Sequence, residues 1–201
     1  MNRKHISAYR RNVMFILNQI QQIGKAMVLP WIKEKRDFYY PKAQVIPEDI
    51  RSELTPYFDK ELLDKARIMV DPGIINEFSK LLGIPSGMLP SAAFGGIALI
   101  DTMVIADPRR VIAEYVFHEL VHFVQYEKLG VEKFICIFID GFVSGNYHNI
   151  PMEKQVFELQ ARFMRGENFK VFDEVRDYRF YSPKSSSLSA HIYSIAAFRL
   201  A

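Results

Sequence analysis

The chain has 201 residues, 49% of them hydrophobic and 24% charged, with 16 Phe and 10 Tyr to supply bulky core material. This fits one globular domain with extensions and argues against a disordered chain or two full-sized domains. The formal net charge is only +3, and no basic stripe is interleaved with aromatics, so a nucleic-acid partner is not expected.

From the N-terminus, Ile6, Tyr9, Val13, Ile16, Leu17, Ile20, Ile23 and Met27 recur at helical spacing behind a basic start. They predict an amphipathic helix over residues 5–29, ended by Pro30 and packed on the domain. The alternative is a helix lying on a membrane surface or against a partner. Asn18, Gln19, Gln21, Gln22 and Lys25 break up its apolar residues, so it is no secretory h-region. No stretch of roughly 18 uninterrupted apolar residues occurs, and cytoplasmic residence is expected. Residues 1–30 thus form an N-terminal unit, 31–182 the main domain and 183–201 a tail.

Residues 31–47, punctuated by Pro41 and Pro47, read as irregular. Helical spacing returns over about 48–66, interrupted by Pro56, and Arg67–Val70 reads as a short strand ended by Asp71-Pro72-Gly73. A helix over 74–82 follows, closed by Gly83 and Pro85. Two apolar runs, Gly95–Ile100 and Met103–Ala106, then predict a β-hairpin or one bent strand.

Asp107-Pro108 signals the next helix, with Asp as N-cap and Pro where a missing N–H does no harm. Gly130 supplies its stop. Within it lies His118-Glu119-Leu120-Val121-His122. Residues four apart stack one turn above each other, so both imidazoles can converge on one ion. Glu119 is turned about 100° away, where a base must stand to take a proton from metal-bound water. Val116, Phe117, Leu120, Val121, Phe123 and Val124 make this helix apolar nearly all round and therefore buried. Buried histidines and a glutamate without partners would cost several kcal/mol, which favours a metal, here zinc. The bland reading is satisfied core histidines with Glu119 paired to an arginine.

The lone cysteine, Cys136, lies in the run Phe134–Ile139 and reads as a buried small hydrophobe. It cannot close an intrachain disulfide, fits a reducing compartment, and excludes a thiolate-rich metal site. A catalytic zinc site needs a third protein ligand besides two histidines. The candidates are Asp140, His148, Glu153 and Glu158. Pro151 opens a further helix to about Arg165, stopped by Gly166, with Glu153 in its first turn. By spacing alone Glu153 and His148 stand nearly even.

The stretch His118 to Gly130, with Gln125-Tyr126, followed by an apolar helix and by Tyr147-His148-Asn149-Ile150-Pro151-Met152-Glu153, resembles a bacterial group of zinc metallopeptidase-like domains. That group is related to core domains associated with extracellular contractile injection systems. The resemblance is firmest over about residues 95–165. It implies an α+β, mostly helical, zincin-like fold with a small β-sheet packed on an active-site helix. It further implies zinc ligation by His118, His122 and Glu153, with Glu119 as general base. Tyr147 or His148 would polarise the scissile carbonyl, and the substrate would be a peptide or protein. Better-known two-His-one-Glu peptidases often carry a carboxylate four residues after the ligand glutamate. Here that position is Phe157, leaving Asp140 and Glu158 as candidate partners for the ligand histidines. The alternative function is a zinc-stabilised binding or scaffold domain without turnover, possibly docking on a membrane or partner through residues 5–29.

Overall fold

A computed structural model describes residues 22, 24–83, 95–143 and 150–175. The architecture is α+β and mostly helical. A helix over 24–39 (α1) leads through a short 3-10 turn to α2 (Glu48–Leu54), α3 (Lys60–Lys65) and β1 (Arg67–Val70). After α4 (Ile74–Leu81) come β2 (Gly96–Leu99) and β3 (Thr102–Ile105), then α5 (Ala113–Leu129), α6 (Val131–Val143), α7 (Pro151–Met164) and the short α8 (Val171–Glu174). No helix among the described residues is long and apolar enough to cross a membrane.

The sheet runs β1-β3-β2, with β1 parallel and β2 antiparallel to β3. Every residue of the central strand is buried, as expected for Thr102-Met103-Val104-Ile105 between two neighbours and a helix. The hairpin turns at Ile100–Asp101, with Ile100 at a positive φ of 67°. Asp101 is gripped by the Arg36 guanidinium through bonds of 2.8 and 2.7 Å. Gly95 O accepts from Ala106 N, so odd-numbered β2 residues bond to β3. The backbone groups of Gly96 and Ala98 therefore face the other edge, where the Tyr126 hydroxyl donates to Ala98 O at 3.2 Å.

Helix α5 lies under this sheet and is flanked by α2, α6 and α7. Phe117 stacks on Phe163 of α7 at 4.5 Å, and Tyr126 stacks on Phe134 of α6 at 3.7 Å. Eleven consecutive α5 residues, Val116 to Tyr126, are buried, as an all-round apolar helix requires.

Two expected boundaries are corrected. Pro30 does not end the N-terminal helix: α1 runs through it to residue 39, so 31–39 are helical and not irregular. A proline inside a helix removes the bond to the carbonyl four residues back. Here Ala26 and Pro30 are both exposed, which leaves that carbonyl to water, while Val28, Ile32 and Tyr39 are buried on the other face. The part of the expected helix before residue 22 lies outside the described residues. Nor does Asp107 cap the long helix. Its side chain accepts from Arg109 N to cap the 3-10 turn Pro108–Arg110, and α5 starts only at Ala113, after Val111 and Ile112 leave helical geometry. Gly130 does end α5, at a positive φ of 75°. Cys136 is half-buried and not fully buried.

Candidate metal centre

His118, Glu119 and His122 sit mid-way along α5, fixed by packing on every side of that helix. Glu153 sits in the first turn of α7, after Pro151 at its first position. The positive end of the helix dipole favours a carboxylate there. Helices α5 and α7 pack side by side, bringing residues 30 or more apart in sequence to one point. His118, His122 and Glu153 form a buried group whose ligand atoms all lie within 4.8 Å of one another and could hold a metal ion. Glu153 Oε2 is 3.5 Å from His118 Nε2, and Oε1 is 3.4 Å from His122 Nε2. Such separations are long for a charged hydrogen bond, which runs at about 2.7–2.9 Å. All four groups are nearly closed off from solvent, with exposures of 3% for each glutamate, 6% for His122 and 8% for His118.

The other faces of both imidazoles are held by glutamine amides. His118 Nδ1 lies 2.9 Å from Gln160 Oε1, and Gln160 Nε2 donates to Glu114 Oε1 at 2.9 Å. His122 Nδ1 lies 2.9 Å from Gln125 Oε1, and Gln125 Nε2 donates to Met152 O at 3.2 Å. A carboxylate and a backbone carbonyl only accept, so each amide must turn its own oxygen to the histidine. Both Nδ1 atoms therefore carry the hydrogen, and both Nε2 atoms face Glu153. Sequence reasoning missed these glutamines. Asp140 instead pairs with Lys25 at 3.5 Å, and Glu158 is exposed on α7; neither joins the metal-ligand group. Phe157 packs edge-on to His118, ring centres 5.1 Å apart. Tyr147 and His148 lie outside the described residues.

The electrostatics favour positive charge at the centre. Burial pulls the His118 pKa down, but its bond to Glu153 and the charges of Glu119 and Glu153 outweigh this and raise it to about 9. Burial raises the Glu119 pKa, against the opposing charges of His118 and His122 and a hydrogen bond from Tyr115. Two buried carboxylates beside two imidazoles make a set suited to a divalent cation.

A cavity of about 60 Å³ adjoins Glu119, His118, His122 and Glu153. Ile97 of β2, Phe134 and Phe138 of α6, Phe78 of α4, and Val28 and Ile32 of α1 line it. Helix α1 is held there by Trp31 against Phe78 at 5.3 Å, by a Lys35–Glu77 ion pair and by the Arg36–Asp101 pair.

Compared with known families, curated proteins and solved structures, the chain matches none.

Proposed function

We propose that the chain is a zinc-dependent metallohydrolase acting on peptide bonds. The observation that carries this reading is the placement of Glu153 at 3.5 and 3.4 Å from the two histidine Nε2 atoms, with Glu119 beside them. Zinc takes nitrogen and carboxylate ligands at about 2.0–2.2 Å in a tetrahedron, whose edges are then about 3.3–3.6 Å. The two separations, one from each carboxylate oxygen, are of that order, and with one Glu153 oxygen as ligand three protein ligands leave one position open. Two imidazoles and one carboxylate also make the set that holds non-haem iron; zinc is favoured here by the i, i+4 spacing of His118 and His122 on one helix with Glu119 beside them as base.

Bound zinc would lower the pKa of a water in that fourth position to about 7. The chain's own residues would do the rest. Gln125 and Gln160 fix the imidazoles, Glu153 completes the ligand set, and Glu119 takes the proton from water and passes it to the leaving amine. A substrate strand would align along the outer edge of the sheet, antiparallel to β2. Tyr147 or His148 would polarise the carbonyl. The pocket of about 60 Å³ beside Glu119 has room for a few waters and not for a polypeptide.

That small volume favours one second reading, a zinc-stabilised binding or scaffold domain without turnover. Metal analysis of wild type and His122→Ala, paired with cleavage of a broad peptide library by wild type and Glu119→Gln, separates them. The hydrolase reading expects zinc in wild type and in Glu119→Gln, none in His122→Ala, and cleavage by wild type only. Stoichiometric zinc with no cleavage by wild type would leave the scaffold.

A further inference from the structure

Tyr115 stands one turn before Glu119 on α5, so the two side chains share a face of the helix. The tyrosine hydroxyl and the Glu119 carboxylate interact: burial and the carboxylate raise the Tyr115 pKa, and the hydroxyl acts to lower that of Glu119, which burial raises. Its ring lies nearly parallel to the His118 imidazole, 10° between planes and 6.1 Å between centres. The Arg110 guanidinium lies 5.6 Å from the tyrosine ring centre. The phenol thus shares a helix face with the base and is packed against a metal-ligand candidate.

An independent feature explains how it fits. Gly95 and Gly96 open β2, and neither takes a positive φ, so backbone conformation does not demand glycine. Space does. A Cβ on Gly95 would stand 2.7 Å from the Tyr115 hydroxyl oxygen and 2.5 Å from Arg110 Nη1. A Cβ on Gly96 would stand 3.2 Å from the same hydroxyl and 2.9 Å from Val104 O. The paired glycines leave a bare stretch of edge strand against which the hydroxyl is seated.

We propose that Tyr115 is a positioning residue for Glu119, its hydroxyl anchoring one carboxylate oxygen so that the other faces the His118–His122–Glu153 group. This rests on the hydrolase reading above. A glutamate side chain left to rotate would spend less time in the one orientation useful to a base. Partners of this kind are typically worth about 10–100-fold.

The test uses the full chain loaded with zinc and acetohydroxamate as the probe, a chelator whose hydroxyl proton must pass to a carboxylate beside the ion. Zinc titration comes first, followed by acetohydroxamate affinity for wild type, Tyr115→Phe, Glu119→Gln and the double variant. The expected result is unchanged zinc affinity in Tyr115→Phe with acetohydroxamate bound about tenfold more weakly. In the Glu119→Gln background the tyrosine change should then have an effect of less than about twofold, because the two act as one unit. Equal affinity in wild type and Tyr115→Phe overturns the proposal, as does a tenfold loss that persists undiminished with Gln at 119. A wild-type chain that takes up no zinc overturns the hydrolase reading and this proposal with it, and the first titration alone reveals that case. Should Tyr115→Phe fail to fold, Gly95→Ala carries the same comparison. It displaces the hydroxyl without removing it, and the same weakening is expected; unchanged affinity there counts against the proposal.

Discussion

With Gln125 and Gln160 accepting from the Nδ1 atoms, His118 and His122 each turn Nε2 towards Glu153. Gln125 also donates to Met152 O and to Gln155 Oε1, so it ties α5 to the turn that carries Glu153. Removing either amide should weaken zinc binding by about 10–100-fold, with Gln125→Ala the more severe and both variants still folded; competitive titration against a zinc indicator checks this order. A pH effect belongs to Asp107, where hydrogen bonds from the Arg109 side chain and backbone hold the carboxyl down at about 2. A carboxyl lowered on folding stabilises above its ordinary value, roughly 3.9, and that contribution fades as pH falls from there towards 2. Urea midpoints at pH 5 and pH 2.5 should therefore differ less in Asp107→Asn than in wild type. His118, Glu119 and His122 were legible as one group, since His-Glu-x-x-His carries its own geometry. Their partners were not: an amide has no distinctive spacing, and Gln160 reaches His118 across 42 positions. Asp140 was a plausible partner by residue type alone, yet its place on α6 sets it against Lys25 of α1.

Helix α1 shows how a sound local rule is overridden. Proline is about 3 kcal/mol less favourable than alanine inside a helix, which is why the sequence reads as stopping at Pro30. Burial of Val28, Ile32 and Tyr39, with tethers at Lys35 and Arg36, carries the helix past it. Pro30→Ala should consequently stabilise the protein, by about 1 kcal/mol or more; a lower melting temperature would mean that the packing depends on a bend at Pro30. The same helix lines the cavity beside Glu119. Arg36→Ala removes its bidentate grip on Asp101 and should shorten the half-time for extracting zinc with EDTA, while leaving equilibrium zinc affinity within about twofold, because Arg36 touches no ligand. On α5 the start at Ala113 was illegible for a related reason: Asp107-Pro108 is a real cap, but of a separate 3-10 turn. The hairpin was read correctly in kind. Its turn at Ile100 was not, since a branched residue at positive φ is the opposite of a turn signal.

Across the whole molecule, the centre depends on α5 being buried between the sheet and α2, α6 and α7. Apolar patterning, helix stops at Gly130 and Gly166, and the short strands made that α+β outline readable. The side-by-side packing of α5 and α7, which brings Glu153 to the histidines, is a tertiary fact that spacing left open between Glu153 and His148. Because the ligands come from separate elements, zinc should stabilise the fold as a unit. At a thousandfold excess over its Kd, linkage adds about 4 kcal/mol, seen as a rise in melting temperature that His122→Ala abolishes. The most direct test of the central claim is equilibrium dialysis against zinc with wild type and Glu153→Ala, reading bound metal per chain. One zinc per wild-type chain is expected, and none retained by Glu153→Ala at the same free zinc. No zinc in wild type, or full zinc in Glu153→Ala, would contradict it.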